Sequence, residues 1–339
     1  MKAAALASLL AFAGTAFAAD VALLPQDSGV EVRLRGISAV DAQVAWASGR
    51  EGTVLRTVDG GAHWQAIRVP GAEALDFRDI EAFDAGTAVV LAIGPGEASR
   101  VYRTSDGGRS WTETLRNVDP RAFLDCMAFD GARGWILGDP VDGRFQVLAT
   151  GDGGASWSLQ DRALMADALA DEAAYAASGT CIATTPWQGL VVVTGGAAAR
   201  VLHRAGDGDV WRAHESPLPA RIPAAGIFSA APVGDDMLLV GGDFEREGRG
   251  AAALAQRDPA GGLRISALPD PHGYRSGVAC FQREAPLCVA VGPNGVDLLR
   301  EGRWQALSAT GYDAVDIVGD VGWASGDQGR IARIELTPR

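Results

Sequence analysis

The stretch Arg103-Thr-Ser-Asp-Gly-Gly-Arg-Ser-Trp111 is the middle one of three near copies. Arg56-Thr-Val-Asp-Gly-Gly-Ala-His-Trp64 precedes it, and Ala149-Thr-Gly-Asp-Gly-Gly-Ala-Ser-Trp157 follows it. From Asp59 to Asp106 to Asp152 the spacings are 47 and 46 residues. A fixed period of this size marks a solenoid or propeller, in which each repeat buries its faces only against its neighbours. Each copy is a chain reversal: aspartate accepts local backbone N–H bonds, and the glycines after it tolerate positive φ. The tryptophan five residues on opens the next strand and can bury a large ring between adjacent sheets.

The pattern Thr-x-Asp-x-Gly-x-(Ser/His)-Trp resembles the Asp-box, or bacterial neuraminidase repeat. That resemblance implies a β-propeller whose box closes the turn between the third and fourth strands of a blade. It implies structural work for Asp59, Gly61, Trp64, Asp106, Gly108, Trp111, Asp152, Gly154 and Trp157, and no catalysis by them.

The rest of the chain divides into short strands at the same rhythm, as an all-β protein should. The first repeat reads as strands at Ile37–Asp41, Val44–Gly49, Val54–Thr57 and Trp64–Ile67. Its second strand returns as Gly134-Trp-Ile-Leu-Gly138 and as Val321-Gly-Trp-Ala-Ser-Gly326. Repeat four keeps only the shortened turn Gly206-Asp-Gly-Asp-Val-Trp211, repeat five has none, and repeat six retains Glu301-Gly-Arg-Trp304. The last repeat lacks a fourth strand, which Val30-Glu-Val-Arg-Leu34 is expected to supply. The expected architecture is thus an all-β, seven-bladed propeller closed by an N-terminal strand, which removes open sheet edges. Arg162–Ala177, rich in helix formers, is expected to be a short surface helix beside the channel or a loop.

Met1–Ala18 reads as a secretory signal: Lys2, an apolar core, then Ala16-Phe17-Ala18 as the cleavage site. Residues 19–339 would form one domain, periplasmic or secreted, monomeric and without membrane insertion, since no later apolar run is long enough to span. Without Lys2 the chain carries 42 acidic residues and 29 arginines, a net charge of −13, and no lysine. That balance opposes nucleic-acid binding, and the missing lysine removes Schiff-base chemistry. Four cysteines in an exported chain suggest disulfides. Cys280 and Cys288 would face each other across a hairpin. Cys126 and Cys181 hold equivalent positions in successive repeats and pair if their Cα atoms come within about 7 Å.

The loops opposite the box turns should surround one channel mouth, and loops on rigid scaffolds carry function. They place Arg78, Asp79, Glu97, Arg100, Asp125, Asp139, Asp142, Arg144, Arg200, Asp243, Arg275 and Tyr312 there as candidates for partner or anion binding. A sialidase-like reading would converge Arg78, Arg100 and Arg275 with Tyr274 or Tyr312 and Asp79. No motif for a metal or cofactor is present, the four histidines are scattered, and an oxidoreductase label finds no residues to support it.

The phrases Asp76-Phe-Arg-Asp-Ile-Glu-Ala-Phe-Asp84, Gly94-Pro-Gly-Glu-Ala-Ser-Arg100 and Asp139-Pro-Val-Asp-Gly-Arg-Phe145 resemble the photosystem II stability/assembly factor-like proteins. So do Ala176-Ala-Ser-Gly-Thr-Cys181, Ala225-Gly-Ile-Phe-Ser229 and Val291-Gly-Pro-Asn-Gly295. The resemblance covers nearly all of the mature chain. It implies a non-catalytic propeller that binds a protein partner, such as an unassembled membrane protein, through an arginine-bearing surface. A glycan-binding or glycosidase role is the alternative.

Overall fold

The computed structural model of the chain describes residues 20–205, 210–283 and 286–337. Seven antiparallel sheets follow one another around a ring. Blade 1 comprises Leu34–Ala39, Ala45–Gly49, Thr53–Thr57 and Gln65–Arg68, and blade 2 comprises Asp76–Ala82, Ala88–Ile93, Arg100–Thr104 and Thr112–Arg116. The inner strands of blades 3 to 7 are Leu124–Asp130, Ile182–Thr184, Ile222–Val233, Gly277–Phe281 and Ala314–Val318. The core lies between blades: Trp46, Ile67, Phe77, Ile80 and Tyr102 join blades 1 and 2. Leu91, Val101, Leu124 and Ile136 join blades 2 and 3. The cleavage site and most of the repeat-four turn fall outside the described residues.

The three D-G-G turns are built alike. Asp106 Oδ1 accepts from the Ser110 N–H at 2.9 Å and the Thr104 hydroxyl at 3.0 Å, and Oδ2 accepts from the Ser110 hydroxyl at 2.6 Å. Hydrogen bonding from Ser110 first, then Thr104, holds the Asp106 carboxyl down at about 2. Gly108 has φ 82°, and a Cβ there would lie 2.8 Å from Ile67 of the preceding blade. The missing side chain therefore serves both the turn and the contact between blades. Trp111 sits edge-on to Trp46 with centroids 6.5 Å apart, across the same boundary.

The ring is closed by Asp20–Gln26, paired antiparallel with Ile331–Thr337, and not by residues 30–34 as the sequence suggested. Residues 20–26 follow the apolar N-terminal run so closely that they read as its continuation. Pro25 is tolerated because an outermost strand leaves one side unpaired. Gln26 also clasps blade 1, donating to the Gly60 carbonyl at 3.1 Å and accepting from Trp64 Nε1 at 3.0 Å.

Residues 162–177 form no α-helix. A single 3₁₀ turn at Arg162–Leu164 leads into an extended strap whose Glu172–Ala173 pairs with Gly195–Gly196. Arg144 donates to the Met165 carbonyl, and Arg200 donates to the Asp167 carbonyl at 2.8 Å and binds the Glu172 carboxylate. These contacts outweigh local helix propensity, which is worth only tenths of a kcal/mol per residue. All four cysteines pair. Cys126–Cys181 ties blade 3 to blade 4 with Cα atoms 6.0 Å apart, and Cys280–Cys288 crosses blade 6 at 4.0 Å.

Candidate functional site

The seven inner strands run the same way along the channel, so one cavity lies at their first residues and another further on. The first, of 570 Å³, is lined by Arg33, Arg35, Arg78, Asp125, Phe228 and Tyr274 among others. The second, of 230 Å³, is lined by later residues of the same strands, including Asp79, Glu81, Met127, Ala230 and Asp316.

A recurrent irregularity aims side chains into the first cavity. The inner strands of blades 1, 2, 3 and 5 each break register at one residue: between Leu34 and Gly36, Phe77 and Asp79, Leu124 and Cys126, and Ile227 and Ser229. The extra residues are Arg35, Arg78, Asp125 and Phe228. A bulge re-aims a side chain without abandoning the sheet, and here it turns one residue per strand toward the mouth.

The charges there are unevenly matched. Arg33 makes a bidentate pair with Asp313 at 2.7 and 2.8 Å, and this hydrogen-bonded pairing raises the guanidinium above its ordinary range. Arg78 donates to the Asp76 carboxylate at 3.0 Å and to the Ala176 carbonyl at 2.6 Å. Arg35 is only 7% exposed and has no carboxylate partner among the described residues: Nη2 reaches the Ala177 and Ala176 carbonyls at 3.3 and 3.5 Å, and Nε has no partner among them. Burial, then the Arg78 charge, push it down to about 10. Opposite, Asp125 is 1% exposed with Oδ2 unpartnered, and burial followed by the Asp139 charge raises it well above the carboxylate range. Asp139 is likewise raised by burial and accepts from the Ala174 N–H at 3.0 Å.

An aromatic wall completes the cavity. Tyr175 stacks on Phe228 with centroids 4.0 Å apart and planes 4° apart. Phe244 meets both rings edge-on, and Tyr274 meets Phe228 edge-on at 4.7 Å. Phe244 remains 43% exposed, so the wall reaches solvent at the rim.

Of the residues the sequence proposed for the mouth, the structure brings Arg78, Asp125 and Asp139 together. Arg144 and Arg200 hold the strap. Asp142 pairs with Arg121 at 2.8 Å, Arg100 bonds the Glu97 carbonyl, and Glu97 lies 3.3 Å from Arg116 on the outer rim. Asp243 is buried and accepts from the Glu245 N–H, and Tyr312 packs in the core between blades 6 and 7. Arg275 is fully enclosed, donating to Asp297 at 2.7 Å and Asn294 at 2.7 Å. Asp79 lines the second cavity and accepts from the Met127 N–H. Arg78, Arg100 and Arg275 therefore do not converge, and the sialidase-like constellation is not assembled from these residues. Arg33 and Arg35 were hidden from sequence reasoning because their segment reads as the closing strand. Phe244 carries no motif; Phe228 lies in the Ala225–Ser229 phrase, but only the register break shows that its ring is turned to the mouth.

A seven-bladed propeller with a charged and aromatic mouth is the class of protein the fold and cavity define. No protein-family model matches the chain, and no curated protein matches it. Solved structures do. YCF48 from Cyanidioschyzon merolae aligns with TM-score 0.63 and 16% identity over 94% of this chain and 99% of that one. YCF48 bound to D1 peptide aligns with TM-score 0.61 and 15% identity over 94% and 95%. A catalytically inactive virginiamycin B lyase from Staphylococcus aureus with quinupristin aligns with TM-score 0.65 and 13% identity over 94% and 100%. At these identities the likeness is one of fold.

Proposed function

We propose that this chain is an exported, non-catalytic propeller that docks a segment of a protein partner in the 570 Å³ mouth. The observation that carries the reading is Arg35: a guanidinium withdrawn from water, with no acid of its own, beside Arg78 in an open cavity. Burying an unpaired charge costs several kcal/mol, and an incoming carboxylate would recover that cost. The aromatic wall adds the apolar surface that a peptide anchor buries. The complex of YCF48 with a D1 peptide supports a peptide ligand on this fold. The resemblance to assembly-factor-like proteins supports an unassembled membrane protein as the source of the segment. Export is supported by the leader-like N-terminus and by the pairing of all four cysteines. Cleavage after Ala18 would leave the closing strand from Asp20 whole.

The test is affinity capture from periplasmic and membrane extracts of the native host, using wild type and an Arg35→Gln/Arg78→Gln double variant of matched melting temperature. A partner retained by wild type and reduced at least about tenfold by the variant is the expected result. Equal capture by both removes the mouth as the docking surface.

A further inference from the structure

The mouth already holds a piece of chain. Ala174, Tyr175, Ala176 and Ala177 of the strap lie within the cavity lining. Their contacts are those an extended peptide makes with a receptor. The Ala174 N–H is accepted by Asp139 at 3.0 Å, and the Ala176 carbonyl receives Arg78 at 2.6 Å. The Tyr175 ring is stacked on Phe228, and its hydroxyl donates toward the Pro223 and Ala225 carbonyls at 2.7 and 3.1 Å. Small side chains on either side of Tyr175 leave the rest of the cavity open.

One position of this arrangement is poorly filled. Where the strap presents the Ala176 and Ala177 carbonyls, Arg35 has two long hydrogen bonds from one nitrogen, at 3.5 and 3.3 Å, and an Nε unused among the described residues. A carboxylate there would meet the guanidinium edge with two charge-assisted bonds, which are shorter and stronger than one to a neutral carbonyl. The strap is also held from outside the cavity, by Arg200 on Glu172 and Arg144 on Met165, so its anchorage there does not depend on residues 174–177.

We propose that Ala174–Ala177 is a built-in occupant of a peptide subsite, displaced by a partner segment carrying an aromatic residue with a carboxylate two positions further on. The inference rests on the docking reading above and specifies its ligand. The strap then competes with every incoming segment, and only one that satisfies Arg35 displaces it.

The probes are two labelled nonapeptides: the strap's own residues 171–179, D-E-A-A-Y-A-A-S-G, and the same peptide with aspartate in place of its last alanine, the one matching Ala177. Binding is measured by fluorescence anisotropy to the full mature chain. Tyr175→Ala, which vacates the ring's place, is expected to bind both probes at least about tenfold more tightly than wild type. The aspartate probe should exceed the alanine probe by about tenfold, an advantage that Arg35→Gln abolishes. Tyr175→Phe keeps the stacked ring and loses only the hydroxyl bonds; it should tighten probe binding by a few fold even where Tyr175→Ala disturbs folding. Equal binding by wild type and both Tyr175 variants, or no preference for the aspartate probe, overturns the inference. If those results accompany loss of the natural partner in Arg35→Gln/Arg78→Gln, the docking reading stands and the strap falls alone.

Discussion

Two arginines at the same end of the channel have opposite environments. Arg275, on the blade 6 side, is 2% exposed and shares its donors among Asp297, Asn294 and the Tyr274 carbonyl. Arg35, on the blade 1 side, is 7% exposed and has two long contacts to carbonyls. Equal burial therefore does not mean equal purpose. A cation whose donors are satisfied within the fold belongs to the fold, whereas one kept dry without an anion leaves donors that a carboxylate from outside would match.

The largest expected effect is at Arg275. Arg275→Ala leaves Asp297 enclosed without its cation and should cost about 3–5 kcal/mol in urea unfolding. A loss under about 1 kcal/mol would mean the pair is dispensable and would dissolve the contrast.

The second cavity extends the comparison to carboxyls. Asp297 keeps a cation, while Asp79 has only backbone donors and is raised by burial to about 8. Folding therefore binds this proton, giving stability that is complete below the ordinary carboxylate range and lost as pH rises through about 8. Between about pH 6.5 and 8 the loss should reach about 2 kcal/mol, and Asp79→Asn should flatten it. His203 and His214, held down chiefly by burial, subtract stability only as pH falls, whereas Glu81 and Asp125 are raised by burial as Asp79 is, so the Asp79 share is the part of the slope that Asp79→Asn removes. An unchanged pH slope in the variant would refute the assignment.

Smaller effects follow on the Arg35 side. Arg35→Met should change stability by less than about 1 kcal/mol, or raise it, because a desolvated cation is exchanged for an apolar chain of similar length. A loss above about 2 kcal/mol would make Arg35 structural. Arg100→Ala, at the rim with Glu113 3.7 Å away, should stay within about 0.5 kcal/mol by the same assay.

The ring itself was legible because its turns repeat a local chemistry: Asp59, Asp106 and Asp152 act within five residues of sequence. Both cysteine pairs could be anticipated from repeat position and hairpin spacing. The mouth was harder to read, because its residues are chosen by register. Arg35, Arg78, Asp125 and Phe228 share no sequence signature, only an extra residue in an inner strand that becomes visible once both strands are paired. Arg200 and Arg275 illustrate the converse. Their loops lie where expected, but Glu172 and Asp297, far along the chain, claim their charges. Helix propensity could not decide between helix and loop in Arg162–Ala177, because the strap's partners lie on blades 1 to 5.

The pairing of Asp20–Gln26 with Ile331–Thr337 also sets an order in time. Asp20–Gln26 leaves a ribosome without its partner strand, which emerges more than 300 residues later. Gln26 belongs to that waiting strand, so Trp64 and the Gly60 turn lack their contact for the same interval. Blade 7 therefore takes its outermost strand from one end of the ring's sequence and the other three from the opposite end, so that strand keeps an unsatisfied edge until the rest of its blade has been made.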